Sequence, residues 1–128
     1  MNYLDAKTQC ESDGAYLAIP QSDAENAFLA SLIPNDNIWI GVNDIDEEGT
    51  FAAVDDQDVT YTKWYANRPD NNGNADGVFI RSNGFWDNVG ITAQYKFICM
   101  FNVEFDFSGK FLYILNQSYT ILFIRLIE

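Results

Sequence analysis

Between Trp64 and Asn88 the chain reads W-Y-A-N-R-P-D-N-N-G-N-A-D-G-V-F-I-R-S-N-G-F-W-D-N, and the first half of that stretch has almost nothing to bury. Asn67, Asp70, Asn71, Asn72, Asn74 and Asp76 crowd around Pro69 and Gly73. The segment is too polar for a strand and too broken for a helix. It is bracketed by Trp64 and Trp86, whose large apolar bodies can anchor both ends in a core. The prediction is a loop held in shape from outside. Its amide and carboxylate oxygens, closely spaced, are the hard donors that Ca2+ coordination needs. Asp87 and Asn88 follow Trp86 directly, so a strand carrying that Trp inward aims two more oxygens at the same place. An ordinary solvated loop is the competing reading of the same composition.

At 128 residues, 48% hydrophobic and 16% aromatic, the chain is one globular domain with a real core. Its 19 acids against 7 bases give a net charge of −12, which argues against nucleic-acid binding and suits carboxylates neutralised by bound cations. There is no histidine. That removes Ser-His-Asp and Cys-His nucleophile systems and His-ligated metals together. A two-carboxylate glycosidase would need one desolvated acid, and nothing marks one. The chain reads as non-enzymatic. If Cys10 and Cys99 pair, they close a loop of about 90 residues, stabilising by roughly 4–5 kcal/mol and implying an oxidising compartment. Two unrelated buried thiols is the alternative at this point.

Residues 2–14 read as a helix burying Tyr3, Ala6 and Cys10, with Gly14 as its stop. Ala15 to Ile19 is a short apolar exit. A second helix starts at Ser22, where S-D-A-E makes a capping box with Glu25, and Ala24, Phe28 and Leu32 supply its apolar stripe. From Ile38 the period changes. Residues 38–42, 51–54, 59–62, 78–80 and 95–100 are strand-like runs between polar turns. Helices followed by strands predict an α+β fold. In the turn N-D-I-D-E-E-G-T-F, Asp44, Asp46, Glu48, Gly49 and Asp55 mimic an EF-hand loop, but the flanks are strand-like and turn-like where that motif needs helices. The turn is kept as a second cation site.

These motifs together resemble the C-type lectin-like domain. The resemblance rests on G-A-Y-L-A-I-P-Q-S-D-A-E-N-A-F-L (14–29), W-I-G-V-N-D (39–44), E-G-T-F (48–51), Trp64, R-P-D-N-N (68–72), N-G-F-W-D-N (83–88) and F-I-C (97–99), in the expected order. It implies two helices flanking antiparallel sheets, with a long loop bearing a Ca2+-dependent sugar site. It implies that Cys10 and Cys99 form the long disulfide, while the second family disulfide is missing, its positions being Gly77 and Ile91. In the primary Ca2+ and sugar site Arg68 stands in place of a Glu or Gln, Ala75 in place of a second Glu, and the final pair is reversed as Asp87-Asn88. Asp70 matches the galactose-type Asp. The expected ligands there are Asp70, Asp87 and Asn88, helped by Asn72 or Asn74. The auxiliary Ca2+ site is carried over as Asp44, Glu48, Asn71 and Asp76, and Pro69 as a cis proline.

The implied function is a non-enzymatic, Ca2+-dependent, galactose-type carbohydrate-binding module, extracellular or secreted, that binds glycans and gains avidity by clustering. The alternative is a lectin-like domain that has lost sugar binding and recognises protein or ice, a reading favoured by Arg68, Ala75 and the reversed pair. The match covers residues 1–100. Met1 falls almost on the first helix, so the lead-in strand of the family is expected to be missing. Residues 101–128 form an apolar tail in which Val103, Phe105 and Phe107 alternate with polar residues before an S-G-K turn, suggesting added strands. Phe111 to Ile127 is too short and interrupted for a membrane span. Asn116 opens an Asn-Gln-Ser glycosylation sequon.

Overall fold

A computed structural model describes residues 1–70, 73–104, 113–115 and 120–127, those from residue 102 onward by their backbone. Helix α1 (Tyr3–Ser12) begins at Asn2, whose side chain accepts from the Asp5 backbone N–H at 2.9 Å. It buries the expected face, Tyr3, Ala6 and Cys10. Gly14 follows at φ 77°, a left-handed value that glycine adopts without strain.

Helix α2 (Asp23–Leu32) starts as the sequence predicts, Ser22 Oγ accepting from Glu25 N at 3.1 Å. Its buried face is not the predicted one. Ala24 is exposed and Phe28 and Leu32 are half-buried, whereas Asn26, Leu29 and the following Ile33 point inward. The reason is Asn26, which fixes the rotation of the helix through two side-chain hydrogen bonds, to Gly84 and Trp86, 58 and 60 residues along the chain.

The strands are β1 (Tyr16–Leu17), β2 (Ile38–Asn43), β3 (Ala52–Ala53), β4 (Gly77–Ile80), β5 (Trp86–Val89), β6 (Lys96–Glu104), β7 (Tyr113–Leu115) and β8 (Thr120–Ile127). The main path through the sheet runs β5-β4-β2-β6-β8-β7, with β1 on β6 and β3 on β2. The apolar exit after α1 contributes β1. The predicted strand at 59–62 does not form. Its side chains instead serve α2 and the core: Tyr61 donates to Asp23 at 2.6 Å, Thr60 to Gln21 at 3.3 Å, and the Tyr61 ring lies 5.9 Å from that of Trp86.

Strand period 2 divides the core. Ile38, Ile40 and Val42 of β2, Val78 and Ile80 of β4, and Ile98 and Met100 of β6 face Leu29 and Ile33 beside α2. Trp39, Phe79, Phe97 and Cys99 face Tyr3, Ala6 and Cys10 of α1. Because a helix covers each face, β2 and β4 read as continuous apolar runs instead of alternating ones. Each fully buried Ile or Val contributes about 1.5–3 kcal/mol.

The Cys10–Cys99 disulfide fastens α1 to β6 across 89 residues of sequence. The tail lies beside β6, with β8 parallel to it from Phe97↔Thr120 to Glu104↔Ile127. Among the described residues no helix is long and apolar enough to cross a membrane. Phe105, Phe107, the 108–110 turn and the Asn116 sequon lie outside the described residues.

Candidate metal centre and ligand face

The two tryptophans close the base of the long loop. Trp86 is fully buried, and the half-buried Trp64 packs edge-on against it with ring centroids 5.6 Å apart. Two backbone bonds pin the neck: Trp86 N to Lys63 O at 2.7 Å and Tyr65 N to Trp86 O at 2.8 Å. From the other side Trp86 Nε1 donates to Asn26 Oδ1, and Asn26 Nδ2 donates to Gly84 O, both at 2.8 Å. The loop therefore leaves and re-enters the core at a rigid point.

Above that neck the chain assembles an acidic cluster. β2 ends at Asn43, and Asp44 N donates to Asp76 O at 3.2 Å, tying the acidic turn to the long loop. Asp44 Oδ2 accepts from Gly49 N at 2.9 Å, which curls the turn back over it. Carboxylate oxygens of Asp44, Glu48 and Asp76 then lie within 4.8 Å of one another. Asp44 is 4% exposed, and its Oδ1 is buried with no hydrogen-bond partner. A buried carboxylate oxygen without a donor costs several kcal/mol unless a cation meets it.

Electrostatics point the same way. The Glu48 carboxyl is pushed up, first by Asp44, to which only its protonated form can donate, then by burial and by the charges of Asp44 and Asp76. The Asp76 carboxyl is pushed up by burial first and then by Asp44. Like charges gathered at this spacing resist ionisation. The donor set is all oxygen, hard and anionic, and so fits Ca2+. Asn71, the fourth residue expected here, lies outside the described residues. Strands β2 and β3 flank the turn, so it is no EF-hand, and Asp55 accepts from Gln57 N in a local turn of its own.

The second expected set also comes together, but around an arginine. The Arg68–Pro69 peptide is cis. Arg68 Nε donates to Asp87 Oδ1 at 2.8 Å, and its Nη1 stands 3.8 Å from Asp70 Oδ2. The other Asp87 oxygen accepts from Arg81 at 3.3 Å. Asn88, buried, faces the loop backbone: Nδ2 donates to Asp70 O at 2.9 Å and Ala75 O at 3.0 Å, and Oδ1 accepts from Asp70 N at 3.2 Å. Asp87 and Asn88 thus brace the loop, while Asp70 and the exposed Asn74 lie toward its surface. Asn72 lies outside the described residues. Sequence reasoning missed Arg81, Tyr65 and Phe85, which surround this set. The hairpin signal R-S-N-G-F could have found two of them, because residues flanking a tight turn are cross-strand neighbours.

The chain belongs to the C-type lectin family: the model of the lectin C-type domain matches residues 1–101. Lectin BRA-3 of Megabalanus rosa is 38% identical over 104 residues, which are 77% of this chain and 64% of that protein. Collectin-10 of Xenopus tropicalis is 37% identical over 105 residues, 78% of this chain and 38% of that protein. The matched segment thus spans less than two thirds of either relative. Among solved structures, the C-type lectin CEL-I from Cucumaria echinata superposes with a TM-score of 0.71 at 29% identity, covering 76% of this chain and 80% of that one. The α+β C-type lectin fold expected from the ordered motifs is the fold found.

Proposed function

We propose that this chain is a non-enzymatic carbohydrate-binding module whose long loop is fixed by Ca2+ at Asp44, Glu48 and Asp76, with Asn71 as a further ligand. The observation behind this reading is the buried, unpartnered Asp44 Oδ1 inside a set of three mutually repelling carboxylates. Bound Ca2+ supplies positive charge and oxygen coordination there. The chain's own residues do the rest: Asp44 N joined to Asp76 O couples the acidic turn to the loop, and the Trp64–Trp86 neck holds its base. A loop so fixed, braced from beneath by Asp87 and Asn88, presents Arg68, Asp70, Asn72 and Asn74 as the ligand face, and Asp70 favours galactose-type hydroxyl geometry. Membership of a family whose relatives include Lectin BRA-3 and CEL-I supports the sugar. The Cys10–Cys99 disulfide supports an extracellular or secreted setting. Several copies presented together would raise the avidity of a single weak site.

A second reading has its own observation. Arg68 donates to Asp87 where a Ca2+-borne sugar site would need free carboxylate oxygens, which favours a lectin-like domain that recognises protein or ice. Passage over immobilised galactose and mannose in Ca2+ tests the two. Retention released by EDTA supports the sugar reading, and flow-through on both columns supports the second.

A further inference from the structure

Beside the Arg68–Asp87 pair, two exposed aromatic rings each carry a cation. The Arg81 guanidinium lies 4.2 Å from the centre of the Tyr65 ring, and Lys63 Nζ lies 5.3 Å from that of Phe85. The two rings stand 6.2 Å apart at 71°. At 39% and 40% exposure, Tyr65 and Phe85 are among the large apolar residues left on the surface.

The scaffold beneath them is rigid. Arg81 N donates to Phe85 O at 2.8 Å across the hairpin turn between β4 and β5, and Tyr65 N to Trp86 O sets the 63–65 segment alongside. The charge is unusual for this chain. Of its 7 basic residues, Lys63, Arg68 and Arg81 fall here, in a protein of net charge −12. Arg68 and Arg81 share the Asp87 carboxylate, and Arg68 also reaches Asp70 at 3.8 Å, so Arg81 has Asp87 only in common with a second cation. Lys63 pairs with Asp23 at 3.0 Å. The Arg81–Asp87 contact, at 3.3 Å, is the longer of the two arginine bonds, and a guanidinium has five N–H donors to offer.

We propose that Lys63, Tyr65, Arg81 and Phe85 form a subsite for an anionic sugar, one bearing a carboxylate or a sulfate ester, next to the ligand face. This rests on the carbohydrate reading above and names its substrate class. The C–H face of a pyranose stacks on Tyr65 or Phe85, and its acidic group meets the Arg81 fork, with Lys63 adding charge. Elsewhere the acidic surface repels anions, so the patch selects sugars with one acidic group over extended polyanions.

Calorimetric titration in Ca2+ with three disaccharide probes tests this: an uncharged parent, its mono-sulfate ester and its uronate-carboxylate counterpart. One charged probe should bind about tenfold or more tightly than the parent. That preference should fall toward unity in 0.5 M salt and in Arg81→Gln, and shrink in Lys63→Gln. Which probe wins identifies the acidic group. Phe85→Ala should weaken all the probes that bind. Arg81→Lys covers a fold failure of Arg81→Gln, since it keeps the charge but loses the planar fork and should also lose affinity. Equal binding of all three probes, or a charged preference that survives both Arg81 variants and Lys63→Gln, overturns the subsite and leaves carbohydrate binding standing. Absence of binding by every probe overturns both.

Discussion

Trp86 Nε1 donates to Asn26 Oδ1 at 2.8 Å, joining residues 60 apart in sequence in the buried space between α2 and the neck of the long loop. Asn26 is 1% exposed and spends its amide on Gly84 O as well. Replacing Asn26 by Ala leaves the indole N–H buried without its partner and frees the hairpin turn. The expected cost is about 2–4 kcal/mol, read as a lower denaturation midpoint at unchanged m-value. A loss below about 0.5 kcal/mol would mean that water replaces the amide at no cost.

That pair also marks where the sequence stopped being legible. The α1 face, the Ser22 capping box and the loop bracketed by tryptophans are written locally, in spacing and residue type, and they appear as read. The rotation of α2 is not, because a polar residue faces inward and its partner lies 60 positions away. The strand-like V-T-Y-T run is spent on Asp23 and Trp86 for the same reason. In the candidate site, Asp44, Glu48 and Asp76 could be singled out through the family resemblance, and their carboxylates do come together. The two-arginine embrace of Asp87 depends on how β4 and β5 fold back, which composition does not encode.

Gly41 sits where β2 crosses the segment 17–19. A Cβ there would stand 2.7 Å from Val54 Cγ2 and 2.8 Å from Ile19 Cγ1, and closer still to the Leu17 carbonyl. A backbone oxygen cannot swing aside, so Gly41→Ala should destabilise by about 2–3 kcal/mol. Gly84→Ala serves as the contrasting variant: space there is open and its cost arises from the positive φ of 87° alone. Equal losses in the two variants would argue against the close crossing.

Asp23, at the start of α2, has its carboxyl held below the usual value of 3.8, first by the Tyr61 hydroxyl and then by Lys63. A depressed acid contributes stability above its unfolded value and loses it as pH falls through the folded one. Thermal midpoints of wild type and Asp23→Asn should therefore separate above about pH 4 and converge toward pH 2. Parallel curves across that range would show that Tyr61 and Lys63 do not favour the charged form.

Reduction of Cys10–Cys99 releases a cross-link spanning 89 residues of sequence. The chain-entropy estimate is about 4–5 kcal/mol, a large part of a small domain's stability. The reduced and alkylated protein, or the Cys10→Ala, Cys99→Ala double variant, should unfold near room temperature or at greatly reduced denaturant. An unchanged midpoint would mean that the packing of α1 on β6 suffices without the bond.

The most direct measurement is the thermal midpoint of the oxidised protein in excess Ca2+ and in EDTA, for the wild type and for Glu48→Gln. With Ca2+ at about 100 times its dissociation constant, mass action adds about 2.7 kcal/mol. That corresponds to a rise on the order of 10 °C for a domain of this size. In EDTA, Glu48→Gln should melt no lower than wild type, because one of three repelling charges is gone, and in Ca2+ it should show little of the rise. Coincident wild-type midpoints, or an undiminished rise in Glu48→Gln, would contradict the assignment of Ca2+ to Asp44, Glu48 and Asp76.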